Sequence, residues 1–279
     1  FKKKNSVGVV NIENKLKNID DDKNLHLVYK KSYEILAKKK YDFVLLLGDR
    51  RELPFLALSA FFLNIPIVHL AAGEIIPGIP GYDQYMRPIT SILSKIQITF
   101  TKDGVKEVEK LFHGISVLNS NVFQTGNPVV NKKLVKHLKP ILKEPYDLVL
   151  IHPQSYRRNN VKNDIKELER KLQDKKTIFI SGNKDRNYDL IEEFFKKLKL
   201  NKKYFFYDTL PTKEYFSYVK YCDTFFTNSS SIPEIKSLNL KCLQIIGKRN
   251  QGRIEYELNE NAPKLLHDIL KNYVKSKEN

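Results

Sequence analysis

The residues of this 279-residue chain best equipped for chemistry stand in short polar clusters, each directly behind an apolar run. Asn228, Ser229, Ser230 and Ser231 follow Thr224-Phe225-Phe226, and Glu234 comes one helical turn later, after Ile232-Pro233. A strand that ends in small hydroxyl residues and opens a helix leaves backbone N–H groups unpaired, so a diphosphate can approach several donors at once. Glu234 is then placed to reach sugar hydroxyls. Asn and Ser are also preferred helix caps, and Pro suits a first helical turn, so plain capping accounts for the same residues.

Other clusters share this placement. Gly48-Asp49-Arg50 sets a carboxylate and a guanidinium behind Phe43-Val44-Leu45-Leu46-Leu47. Asp49 is a candidate orienting or acid–base group, or a helix cap. His69 closes the next apolar run, and Ala71-Ala72-Gly73-Glu74 leads from it into a Gly- and Pro-rich loop over residues 77–81 that suits a substrate cover. Beyond that loop Asp83 and Arg87 are four apart and share a helical face, as a surface ion pair or as working groups. A carboxylate close to two others, Asp49 and Glu74, is a candidate for a raised pKa and proton transfer. In the second half His152 follows Val149-Leu150-Ile151, Gly182-Asn183-Lys184-Asp185 follows another apolar run, and the segment 247–253 offers Arg249 and Arg253 between two glycines for an anionic ligand.

The elements that must hold these groups alternate strand with amphipathic helix along the chain, which predicts an α/β fold with parallel sheets flanked by helices. Strands are expected at 43–47, 67–70 and 96–101, with a helix over 53–63 whose Leu56, Ala57, Ala60 and Phe61 share one face. The pattern restarts with strands at 147–151, 177–180, 204–207, 224–226 and 242–246. Two prolines without a strong period mark a linker over 138–146, dividing the chain into domains 1–139 and 140–279. A final helix from about residue 264 presents Leu265, Leu266, Ile269 and Leu270 on one face. In open parallel sheets ligands bind beyond the carboxyl ends of the strands, where every cluster above lies.

Lys and Arg outnumber Asp and Glu by 49 to 32, a net charge of +17. Such a balance suits nucleic acid, an anionic membrane or a phosphorylated small molecule. The lysines are dispersed through helical segments as solvated faces, however, and no nucleic-acid motif accompanies them, so nucleic acid is not the expected partner. No apolar stretch is long enough for a membrane span. Cys222 and Cys242, the two cysteines, show no metal-ligand spacing, and a reduced, cytoplasmic protein follows most simply.

In order and spacing these segments resemble the UDP-N-acetylglucosamine 2-epimerase family, especially its hydrolysing, sialic-acid-type branch. The residues carrying the resemblance are Gly48-Asp49-Arg50; Asn64-Ile65-Pro66-Ile67-Val68-His69; Gly73-Glu74; Asp83, Arg87 and Thr90; Gly126-Asn127-Pro128; His152-Pro153; Asn228 through Glu234; and Ile246-Gly247 with Arg249, Gly252 and Arg253. They span roughly residues 40–255. The resemblance implies two Rossmann-like domains of glycosyltransferase-B type and a reaction that eliminates UDP from the sugar and inverts C2, without a cofactor or metal. It implies catalytic roles for Asp49, Glu74, Asp83 and His152, with Asp83 transferring the proton. UDP-sugar binding falls to Arg87, Asn228, Ser229, Ser230, Ser231, Glu234, Arg249 and Arg253. No Gly-Thr-Arg loop precedes residue 43, so the first domain reads as lacking its opening segment. Ala71 stands where the non-hydrolysing branch carries a catalytic Glu. A glycosyltransferase of the same architecture, a non-catalytic UDP-sugar-binding protein and a homo-oligomer are also compatible with the sequence.

Overall fold

The computed structural model describes residues 22–75, 82–114, 121–130, 132–154, 157–240, 242–250, 256 and 258–276. After a short 3-10 turn the chain runs α1 (Leu25–Leu36), β1 (Val44–Leu47), α2 (Leu53–Phe62), β2 (Ile67–Leu70), α3 (Asp83–Ile92), β3 (Ile96–Thr99), α4 (Lys102–Phe112), β4 (Asn121–Gln124) and α5 (Lys132–Lys136). It continues through β5 (Asp147–Leu150), α6 (Arg158–Lys171), β6 (Thr177–Ile180), α7 (Tyr188–Leu198), β7 (Tyr204–Tyr207), α8 (Thr212–Tyr221), β8 (Thr224–Thr227), α9 (Ile232–Ser237), β9 (Leu243–Ile245) and α10 (Ala262–Lys275). The first four strands form one sheet in the order β1-β2-β3-β4, and the other five form a second in the order β7-β6-β5-β8-β9. Every pairing in both is parallel.

Parallel sheets covered on both faces select strands that are apolar throughout, and β2, β3, β5 and β6 are buried at every residue. The second sheet has a core on each face. Tyr146, Leu148, Leu150 and Phe225 pack on α8 and α9 through Val219 and Ile235, while Val149, Phe179, Phe226 and Ile246 pack on α6 and α7 through Leu168, Ile191 and Phe195. In the first sheet Val68, Leu70, Ile96 and Ile98 face the other way from Leu46 and Ile67, which lie under α2.

Two helix faces differ from the sequence expectation. On α2, Ala57 and Ala60 are buried but Phe61 is exposed; the α1–α2 contact instead buries Ser59, whose Oγ lies 2.6 Å from Ser32 Oγ. On α10 the packed face is Leu266, Ile269, Leu270 and Tyr273, with Leu265 turned to solvent, because this helix docks on the first sheet beside Val68 and Ile98. The chain therefore crosses between the sheets after β4 and again before α10.

In the second sheet, connections run from β5 outward through β6 and β7 and then return to the opposite side at β8. The carboxyl ends of β5 and β8 consequently flank the point where strand order reverses, the position that holds ligands in open α/β sheets. Leu150 is in register with Thr227, which brings His152 and Asn228 side by side there.

Candidate functional site

Asn228 is fully buried and ties these strand ends together with its side chain. Its Oδ1 accepts from the His152 backbone N–H at 2.7 Å, and its Nδ2 donates to the His152 carbonyl at 3.0 Å and to Asp164 Oδ2 at 3.1 Å. The amide thus replaces ladder hydrogen bonds where the two strands diverge. Thr227 adds a second tie, donating to the Leu150 carbonyl at 2.6 Å while its Oγ1 accepts from the Ser229 N–H at 2.9 Å.

The serines do not form a simple cap. Ser231 occupies the N-cap position of α9 but makes no side-chain capping bond; its hydroxyl donates to Ser229 Oγ at 3.1 Å and lies 3.0 Å from the Tyr215 hydroxyl. Ser229 Oγ lies 3.2 Å from His152 Nε2, and the Asn183 N–H donates to His152 Nδ1 at 2.9 Å. A ring nitrogen that accepts carries no proton, so the imidazole is the Nε2–H tautomer and presents a donor toward the serine loop. The carbonyl of Asn228 accepts from Arg249 Nη1 at 3.0 Å and from the Asn250 amide, fixing the guanidinium beside the loop.

On the first sheet the strand ends are held by one arginine and one histidine. Arg87 of α3 is buried and donates to Asp49 and to the Ala71 carbonyl. Ala71 has φ +58°, a left-handed conformation that costs a non-glycine residue about 1 kcal/mol, and the Arg87 bond holds its carbonyl in that turn. His69 is fully buried. Its Nε2–H donates to the Gly48 carbonyl at 2.7 Å and its Nδ1 lies 2.8 Å from Ser91 Oγ, so it pins the turn that carries Asp49. Burial, reinforced by the Arg87 charge, pushes the His69 pKa down to about 4, against opposing contributions from Gly48 and Asp49. This histidine is a neutral brace.

Glu74 is turned toward β3 and α4, accepting from the Phe100 N–H at 2.9 Å and lying 3.3 Å from Thr101 Oγ1. Burial raises its pKa even though these donors and Arg87 oppose the shift. Gly73 permits this turn: with φ +73°, a Cβ there would lie 2.0 Å from the Gly104 carbonyl oxygen.

A cavity of about 410 Å³ joins the two sets of strand ends. From the first sheet Asp49, Arg50, Glu52, Ala71 and Arg87 line it; from the second, Asn183, Asp185, Ser230, Glu234 and Arg249 do. Glu234 Oε1 accepts from Asn127 Nδ2 at 3.2 Å, a hydrogen bond that crosses between the halves. His152, Asn228, Ser229 and Ser231 are not lining residues but hold Asn183, Ser230 and Arg249 in place. The structure gives the backbone of Asp83 at the start of α3, one turn before Arg87, and its side chain falls outside the described residues, as does Arg253. Asp49 lies ahead of the N-cap of α2, a position filled by Glu52. Among the described residues, no three His, Cys, Asp or Glu are grouped to hold a metal ion, and no helix is long and apolar enough to cross a membrane.

Sequence reasoning passed over two buried carboxylates. Glu52 lines the cavity, and although its burial favours the neutral form, Arg50 and Arg51 bring its pKa below the ordinary range. Asp164 lies behind Asn228 on α6, and burial raises its pKa. Neither occurs in a recognisable motif.

A family model described as UDP-N-acetylglucosamine 2-epimerase matches residues 9–274. The chain is 27% identical over 258 residues to polysialic acid biosynthesis protein P7 of Escherichia coli, covering 85% of this chain and 64% of that protein. It is 30% identical over 244 residues to the GDP/UDP-N,N'-diacetylbacillosamine 2-epimerase (hydrolyzing) of Campylobacter jejuni, covering 83% and 63% respectively. The chain thus spans somewhat under two thirds of each of these curated relatives. In fold it is similar to the Methanocaldococcus jannaschii UDP-GlcNAc 2-epimerase solved with UDP-GlcNAc and UDP (TM-score 0.68, 18% identity, 89% of this chain and 80% of that one). It is also similar to the Neisseria meningitidis UDP-GlcNAc 2-epimerase bound to UDP-GlcNAc (TM-score 0.62, 18% identity, 90% and 74%). The two Rossmann-like sheets therefore have the glycosyltransferase-B type of architecture.

Proposed function

For a chain that belongs to the UDP-N-acetylglucosamine 2-epimerase family, we propose a hydrolysing UDP-sugar 2-epimerase that converts UDP-N-acetylglucosamine or a related acetamido sugar into UDP and the free C2-inverted sugar. The observation that carries this reading is the shared cavity, in which the Asp49–Arg87 pair faces Ser230, Glu234 and Arg249. The relative named as a hydrolyzing 2-epimerase supports the branch.

Arg249 and Ser230, held in place by His152, Asn228 and the flanking serines, supply cationic and dipolar stabilisation as the C1–O bond breaks and UDP departs. Glu234 takes the ribose. Proton removal from C2 creates the C1–C2 double bond of a 2-acetamidoglucal; water then adds its oxygen to C1 while a proton returns to the opposite face of C2. Asp83 is assigned the proton transfer, with Asp49 held by Arg87 and Glu74 behind them as orienting carboxylates. Arg253 adds a second cation at the diphosphate. The free thiols of Cys222 and Cys242 suit a reducing, cytoplasmic setting.

Incubation with UDP-N-acetylglucosamine and no acceptor, followed by product identification in deuterated water, is the test. The expected result is free 2-epimerised sugar carrying deuterium at C2, together with UDP. Turnover only in the presence of an acceptor would make the protein a glycosyltransferase, and UDP binding without turnover would make it a binding protein.

A further inference from the structure

Helix α6 is mostly polar and solvent-facing, yet Asp164 on it is 5% exposed. Burying a carboxylate is unfavourable unless its surroundings supply donors, and here two side-chain amides supply them. Gln154 Nε2 donates to Asp164 Oδ2 at 2.8 Å and Asn228 Nδ2 donates at 3.1 Å. Gln154 is itself oriented by Asn160 Nδ2, which donates to Gln154 Oε1 at 3.1 Å.

The consequence falls on Asn228. Its amide meets the His152 backbone with acceptor against N–H and donor against carbonyl, so turning it over would oppose donor to donor and acceptor to acceptor. An acceptor-only carboxylate beside Nδ2 admits one orientation alone. The same helix also reaches the Arg249 loop. A Cβ on Gly247 would lie 2.0 Å from Asp164 Oδ1, and the Gly247 N–H donates to Glu167 Oε2 at 3.1 Å, one turn along α6. Neither carboxylate lines the cavity.

We infer that Asp164 is a positioning residue for the diphosphate end of the cleft, orienting Asn228 and through it holding the His152 turn, the serine loop and Arg249 in the arrangement that receives UDP. This inference rests on the UDP-sugar reading of the cleft given above. Asp164 touches no reacting atom; it acts through Asn228.

The test is UDP binding by titration calorimetry on the full chain, together with kcat and KM, for wild type, Asp164→Asn and Asp164→Leu. Asp164→Leu removes the acceptor and strands the Asn228 and Gln154 donors, so UDP affinity should fall about tenfold or more. KM should rise and kcat/KM should fall at least in step with the affinity, because the same loop and Arg249 also hold the departing diphosphate. Asp164→Asn keeps a carbonyl acceptor for Asn228 and should restore affinity to within about threefold of wild type. Should the leucine variant fail to fold, Asp164→Ser, whose hydroxyl is too short to reach Asn228, is expected to show the same loss. Wild-type UDP affinity in the folded leucine or serine variant overturns the inference, as does equal weakness in the asparagine variant. Failure of the wild-type protein to bind UDP instead overturns the reading of the cleft, and the inference with it.

Discussion

The two walls of the cleft are built on different physical plans. On the second sheet, side chains take over where the β ladder ends: Asn228 and Thr227 bond to backbone groups of a neighbouring strand, and the serine hydroxyls bond to one another and to His152. The wall is a web of mostly neutral hydrogen bonds, in which the loss of one bond is shared by several. On the first sheet, one buried guanidinium spans Asp49 and the Ala71 carbonyl, and one neutral imidazole pins the Gly48 turn. That wall depends on few contacts, the central one an ion pair. A web suits a surface that must hold a ligand of fixed shape, whereas isolated charged groups suit steps in which protons move.

The sharpest way to separate the walls is Asp83→Asn. Removal of a proton-transfer group should lower kcat by roughly a thousandfold while leaving UDP affinity unchanged. Lost UDP binding with normal turnover would sink that assignment and place Asp83 on the binding side. Next in size is Arg87→Met, which leaves Asp49 without its buried partner. A loss of about 3 kcal/mol is expected, measured by denaturant unfolding, together with loss of product formation. A stable, active variant would show the first wall to be as redundant as the second.

The same wall carries the pH dependence. In the unfolded chain His69 takes up a proton near pH 6.5, whereas in the fold its pKa is about 4. A depressed folded value means stability present above pH 6.5 and lost as pH falls toward 4, by at most about 3 kcal/mol. Unfolding curves across that range should show the slope in wild type and its flattening in His69→Gln. The smallest expected effect belongs to the web. Arg249→Ala should weaken UDP binding by about 1–2 kcal/mol, with little change in thermal stability because Asn250 also bonds the Asn228 carbonyl.

Much of this was readable from the residues. Apolar runs such as Leu148-Val149-Leu150 and Ile178-Phe179-Ile180 declare strands buried on both faces, and the polar clusters after them had to fall at strand ends. The strand β4 escaped because Asn121-Val122-Phe123-Gln124 lies at a sheet edge and is mostly exposed, leaving no apolar signature. Asp164 escaped for the opposite reason. Its neighbours Asn159, Asn160, Lys162 and Asn163 write a solvated helix, and the groups that close over Asp164 include Asn228 and Gly247, more than sixty and more than eighty positions further on. Glu52 looked like one charge among several because the cavity that gives it meaning is assembled from both sheets. Local pattern reports periodicity and turns; it does not report which loops later close over a given side chain.

The return of α10 to the first sheet has a mechanical side. Two covalent strands join the halves, one between β4 and β5 and one between β9 and α10. A body tethered to another at one point can swivel in any direction, but one tethered at two points turns most freely about the line through them. The two connections therefore constrain the halves relative to one another more than a single linker does. The Asn127–Glu234 hydrogen bond ties the turn after β4 to α9, and Val130 beyond it packs with Phe216 and Leu238 of the second half. The turn after β4 and the cavity-lining carboxylate of Glu234 are therefore fixed to one another, and a change at either is felt at both.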